Sequence, residues 1–136
     1  MPELHRYRLF ISHAWHRHEG YDRMLQFLNG APNFIYSNYS VPVDKAFDKM
    51  SNSQLEEEIK QQIRPVESVI ILGGIYVSYS KWIQFEIDYA KSLMKPIIGI
   101  QPWGAQRMPL AVQNAANIIV GWNTSSIVKA IREYSI

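Results

Sequence analysis

The sequence contains no cysteine. That excludes a disulfide framework, a thiolate zinc site and a thiol nucleophile. Charge of one sign is also lacking: 14 Lys+Arg against 12 Asp+Glu leave a net +2, with the signs interspersed along the chain. No basic stripe marks a nucleic-acid surface, and a sequence pI of about 8.9 adds little to that. Long apolar runs are missing, and none approaches the roughly 20 residues of a membrane helix. Met1 to Arg8 is polar and carries no signal-peptide core. A glycine-rich phosphate loop is absent as well, because Gly73-Gly74 has neither the Walker lysine nor the dinucleotide spacing.

What is present is a chain of 136 residues, 47% hydrophobic and 19% charged. Length and composition suit one globular domain over residues 1–136, and the sequence shows no repeat, low-complexity run or linker. The expected setting is soluble and cytoplasmic, with neither nucleic acid nor membrane as partner.

Tyr7 to Ser12 is a short apolar run that predicts a buried strand, followed by a His13-Ala14-Trp15-His16-Arg17-His18 loop. The three loop histidines lack carboxylate partners at ligand spacing other than Glu19, so they read as solvated and no metal is expected. Glu19 to Leu28 has helical spacing and stops at Asn29-Gly30. Asn33 to Ser40 predicts a second strand and Val41 to Met50 an irregular loop. Ser51-Asn52-Ser53-Gln54 opens a helix carrying Leu55, Ile59 and Ile63, closed by Pro65. Glu67 to Leu72, with Ser68-Val69-Ile70-Ile71-Leu72, predicts a continuous apolar strand buried on both faces, and Pro96 to Ile100 another. A loop over Gln101 to Arg107, a short helix over Pro109 to Ala116, a strand over Asn117 to Val120 and a helix over Ser125 to Tyr134 complete the chain.

Strands alternating with helices at this spacing predict an α/β fold of three layers. The expectation is a five-stranded parallel sheet in flavodoxin-like order 2-1-3-4-5, with helices on both faces. Ligands on such sheets bind outside the carboxyl ends of the strands. Those ends carry Ser12 to Trp15, Tyr39 to Pro42, Gly73-Gly74, Gln101 to Gly104 and Gly121 to Asn123. All four tryptophans, Trp15, Trp82, Trp103 and Trp122, fall at that rim or just beyond it, which suits either stacking on a flat ligand or covering the core.

The helix predicted from Ser80 as N-cap to Pro96 has an odd residue in it. Lys81, Gln84, Asp88, Lys91 and Lys95 share one polar stripe, whereas Glu86 projects to the opposite side with Trp82, Tyr89 and Leu93. A carboxylate on an apolar face is costly unless an Arg or a backbone group satisfies it, or a cleft puts it to work.

Two boxes in this chain resemble those of Toll/interleukin-1 receptor (TIR) domains. Phe10-Ile11-Ser12-His13 after the first strand is similar to the opening box, and Trp82-x-x-x-Glu86 to the Trp-Cys-x-x-Glu motif, with Ile83 in place of the Cys. The segment from Trp82 to Ile100 most closely resembles the TIR-like proteins of the bacterial Thoeris anti-phage defence system. The resemblance implies an NAD+-consuming enzyme, a glycohydrolase or ADP-ribosyl cyclase, with Glu86 as catalytic carboxylate. It further implies that Phe10, Ser12, His13, Trp15 and Trp82 bind the NAD+ substrate. Tyr39 and Asp44 fall in the loop that covers the nucleotide in the family and builds TIR–TIR contacts. NAD+ is then a substrate, with no resident cofactor. The product, free, cyclic or conjugated ADP-ribose, would act as a diffusible signal on a separate effector. Two alternatives stand beside this: a non-catalytic TIR-type interaction module that signals by self-association, and a nucleoside deoxyribosyltransferase-like enzyme.

Overall fold

The computed structural model describes residues 5–12, 19–39, 52–72, 76–101, 110–121 and 124–135. Five strands, β1 (Arg6–Ser12), β2 (Ile35–Asn38), β3 (Ser68–Leu72), β4 (Ile97–Ile100) and β5 (Ile118–Val120), alternate with five helices. The helices are α1 (Glu19–Gly30), α2 (Asn52–Ile63), α3 (Tyr76–Ser92), α4 (Leu110–Ala115) and α5 (Thr124–Tyr134). All four strand pairings are parallel and the order is β2-β1-β3-β4-β5, as the alternation predicts.

The central strands form because β-branched residues fill both faces of a pleat that has no wet side. Leu9, Phe10 and Ile11 of β1, Val69, Ile70 and Ile71 of β3, and Ile97, Ile98 and Ile100 of β4 are all 0% exposed. Burying each such side chain stabilises the fold by about 1.5–3 kcal/mol. Helices α1 and α5 touch each other, and α2 and α3 touch each other, so a helical layer lies on either side of the sheet. Each helix turns its apolar stripe inward. Leu55, Ile59 and Ile63 of α2 and Ile127, Val128 and Ile131 of α5 are buried, at the spacing read from the sequence.

The boundaries that differ most from the sequence reading are those of α3 and β2. Helix α3 begins at Tyr76, so Ser80 lies inside it and is not its N-cap. No proline or glycine interrupts residues 76–92, and nothing there stops the helix from starting a turn early. Its end is set before Pro96 by a Schellman motif: Met94 N–H donates to Lys91 O at 3.0 Å and Lys95 N–H to Ala90 O at 2.9 Å. Met94 takes the left-handed conformation this requires, with φ 58°. Leu93 is turned outward there, 37% exposed, and does not share the buried side with Glu86. Strand β2 is shorter than expected because Asn33 also has a left-handed φ, 56°, which no strand residue adopts. Tyr39 nonetheless keeps one ladder bond, its N–H donating to Leu9 O at 2.8 Å.

The amino end of the sheet is braced by a polar cluster. Glu67, 5% exposed, accepts from the Arg8 N–H at 3.0 Å and lies 2.6 Å from His5 Nε2. Its own N–H donates to Arg8 O at 2.8 Å, tying the start of β3 to β1.

Candidate active site

Ser12 is the last residue of β1, paired in register with Ile71 of β3, at the carboxyl edge of the sheet. Phe10 and Ser12 share one face of the strand, and Leu9 and Ile11 share the other. Glu86 lies ten residues into α3, nearly three helical turns from its start. The helix faces sort as the polar stripe requires. Asp88 and Lys91 are exposed and Gln84 donates to Asp88 Oδ1 at 2.9 Å, while Ile87 and Ala90 are buried.

Glu86 is 0% exposed, and the Ser12 hydroxyl donates to its Oε1 at 2.9 Å. Ser12 is itself 1% exposed. The second carboxyl oxygen, Oε2, is buried without a hydrogen-bond partner among the described residues. Burial pushes the Glu86 carboxyl up to about 8 from its ordinary 4.5, and the Ser12 hydroxyl works against that by favouring the anion. The partner that satisfies Glu86 is therefore a serine hydroxyl, neither the arginine nor the backbone group considered from the sequence. The carboxyl is also fully buried, away from water. A buried acid pushed up to about 8 holds its proton at neutral pH, and a positive charge brought beside it favours its ionisation.

The other candidate residues divide. Phe10 is fully buried in the hydrophobic core, on the face of β1 that also carries Ser12. Tyr39, just past β2, is half-buried and packed against the core. Trp82 lies on α3 one turn before Glu86, with its side chain outside the described ones. His13, Trp15 and Asp44 lie outside the described residues, as do Trp103 and Trp122. No group of three metal-ligating side chains occurs among the described residues. Two open depressions lie elsewhere. One of about 400 Å³ runs between the end of α1 and α5, lined by Ala31, Val128 and Arg132; another of about 410 Å³ lies beside Lys91, Met94 and Tyr134.

What the sequence did not give is the Ser12–Glu86 bond, which joins positions 74 residues apart. Both residues were singled out, each for its own box; only the parallel β1–β3 pairing and the α3 crossover bring them together.

Sheet order, all-parallel pairing and the flanking helices make this a TIR-like α/β module. Within that class the chain belongs to the family of the Thoeris protein ThsB, TIR-like domain, whose family model matches residues 10–107, from β1 to the segment after β4. It is thus a defence-related TIR module, from a domain family that includes NAD-cleaving members. No curated protein matches the chain. No helix among the described residues is long and apolar enough to cross a membrane.

Proposed function

We propose that this TIR-like protein cleaves the nicotinamide–ribose bond of NAD+ and that Glu86 is its catalytic carboxylate. The observation that carries the reading is the wholly buried Glu86 carboxyl at the sheet's carboxyl edge, one oxygen bonded to Ser12 and the other without a partner among the described residues. Family membership supports it.

The chemistry asks little else of the protein. Nicotinamide is a cationic pyridinium in NAD+ and departs neutral, so no strong acid is needed to expel it. What needs help is the oxocarbenium-like ribose, and a carboxylate beside it stabilises that charge. In a site shielded from water such an interaction is far stronger than in solution. The same positive charge favours the ionised form of Glu86, so arrival of the pyridinium ribose offsets the burial that otherwise keeps the carboxyl protonated. Trp82, one turn away on α3, would line the ribose side of the pocket, with Phe10, Ser12, His13 and Trp15 around it and Tyr39 and Asp44 over the nucleotide. The ADP-ribose product, free, cyclic or conjugated, would serve as a diffusible signal to a separate effector. Self-association through TIR–TIR contacts and a cytoplasmic setting complete the proposal.

The test is NAD+ loss and product mass, wild type against Glu86→Gln, with and without lysate from phage-infected cells. Glutamine keeps the shape and removes the charge, so turnover is expected to fall by on the order of 10² or more. A variant with wild-type turnover would overturn the role of Glu86. A wild type that leaves NAD+ intact under every condition would favour the non-catalytic interaction module.

A further inference from the structure

We propose that Ser12 is a positioning residue: its hydroxyl clamps Oε1 of Glu86 and so leaves Oε2 as the oxygen that meets the substrate. The inference rests on the enzyme reading above and gives Ser12 a different role from direct binding of NAD+.

Geometry carries it. The 2.9 Å bond is made between a side chain 1% exposed and one 0% exposed, so the hydroxyl proton of Ser12 is already committed within the protein. Serine has one proton to donate, and none remains for a ligand. Ser12 is also held firmly, because its backbone ends the β1 ladder in register with Ile71. Glu86 stands on a helix of 17 residues whose neighbours Ile87 and Ala90 are buried, so both ends of the clamp sit on rigid elements. A carboxyl fixed through one oxygen cannot rotate about its terminal bond without breaking that hydrogen bond, which selects the other oxygen for the substrate. Oε2 is that other oxygen, buried and without a partner among the described residues.

Other polar groups around α3 do not compete for the role. Arg64, just past α2, donates to the Tyr89 hydroxyl at 2.9 Å, and Lys60 of α2 lies over the Tyr89 ring at 5.9 Å. Asp88 and Lys91, on α3 itself, are exposed on its outer side. Among the described residues, Ser12 is the only side chain that bonds the Glu86 carboxyl.

Ser12→Ala separates the two roles. Loss of the clamp should lower kcat by roughly tenfold, the effect of one hydrogen bond to a charged group, while KM stays within about twofold. A rise in KM at unchanged kcat would overturn the proposal and return Ser12 to substrate contact. A second readout needs no turnover: the titration of the Glu86 side-chain carboxyl, followed by carbon-13 NMR in the free protein. Removing a donor that favours the anion must move that midpoint to higher pH in Ser12→Ala, and an unmoved midpoint overturns the clamp. The two readings can fail apart. A wild type that never cleaves NAD+ overturns the enzyme reading, and the titration still decides whether Ser12 holds Glu86.

Discussion

Among the described residues, Glu86 is the group whose ionisation burial opposes most strongly, and it gives the fold a pH dependence of its own. Its folded-state value of about 8 stands above the ordinary 4.5 of the unfolded chain. Below 4.5 both states hold the proton, and the group carries no penalty. As pH rises from 4.5 to 8 the unfolded chain ionises while the native state keeps its proton, so stability falls, by up to about 1.4 kcal/mol per pH unit. Above 8 the loss levels off. Glu86→Gln removes the titration and keeps the shape. Urea unfolding of both proteins at pH 5 and pH 8 should therefore show the wild type losing a few kcal/mol relative to the variant. A constant difference would mean that water reaches the carboxyl. That Glu86 faces inward is visible in the sequence, since helical spacing alone puts it opposite the polar stripe. Its partner was not visible. Ser12 offers no periodic signal, and the clamp exists only because two elements 74 positions apart meet.

At the scale of single elements, α3 shows where local rules were incomplete. Its apolar and polar faces follow from 3.6-residue periodicity, and Asp88, Ile87, Ala90 and Lys91 lie where that spacing puts them. Its ends do not follow so simply. Ser80 is a good cap by type, yet the chain has no breaker near it, and the helix extends back to Tyr76. At the other end the Schellman motif places Met94 in a left-handed conformation that glycine adopts without strain. Met94 is 84% exposed, so its side chain contributes little packing in exchange. Met94→Gly is therefore expected to stabilise the protein by about 1 kcal/mol, read as a higher urea midpoint at unchanged slope. A lower midpoint would mean that the left-handed turn at Met94 carries no strain. The start of β2 obeys the same physics, since Asn33 at φ 56° makes the strand begin late.

The whole molecule has two chemically different ends. The carboxyl edge of the sheet carries Ser12 and Glu86, and the amino edge carries the brace of Glu67 with Arg8 and His5. Glu67→Ala would leave the Arg8 N–H without its side-chain acceptor and should cost about 1–3 kcal/mol in urea unfolding. Measured well below the unfolding midpoint, NAD+ cleavage by that variant should stay within about twofold of wild type, because the brace lies at the opposite edge from Glu86. A large loss of cleavage with little loss of stability would contradict this division of labour. The sequence by itself pointed to the architecture: short runs apolar on both faces, alternating with helices, indicate parallel strands between helical layers, and five of them at this length favour the 2-1-3-4-5 order that the fold adopts. It also determined that Glu86 faces inward, because helical spacing is a local property. The tertiary structure alone decided what Glu86 meets there, the Ser12 hydroxyl on one oxygen and no partner on the other among the described residues, and hence that burial holds its carboxyl well above the ordinary range. Ionisation depends on the surrounding dielectric and on partners distant in the chain, and neither is encoded in the spacing of neighbouring residues.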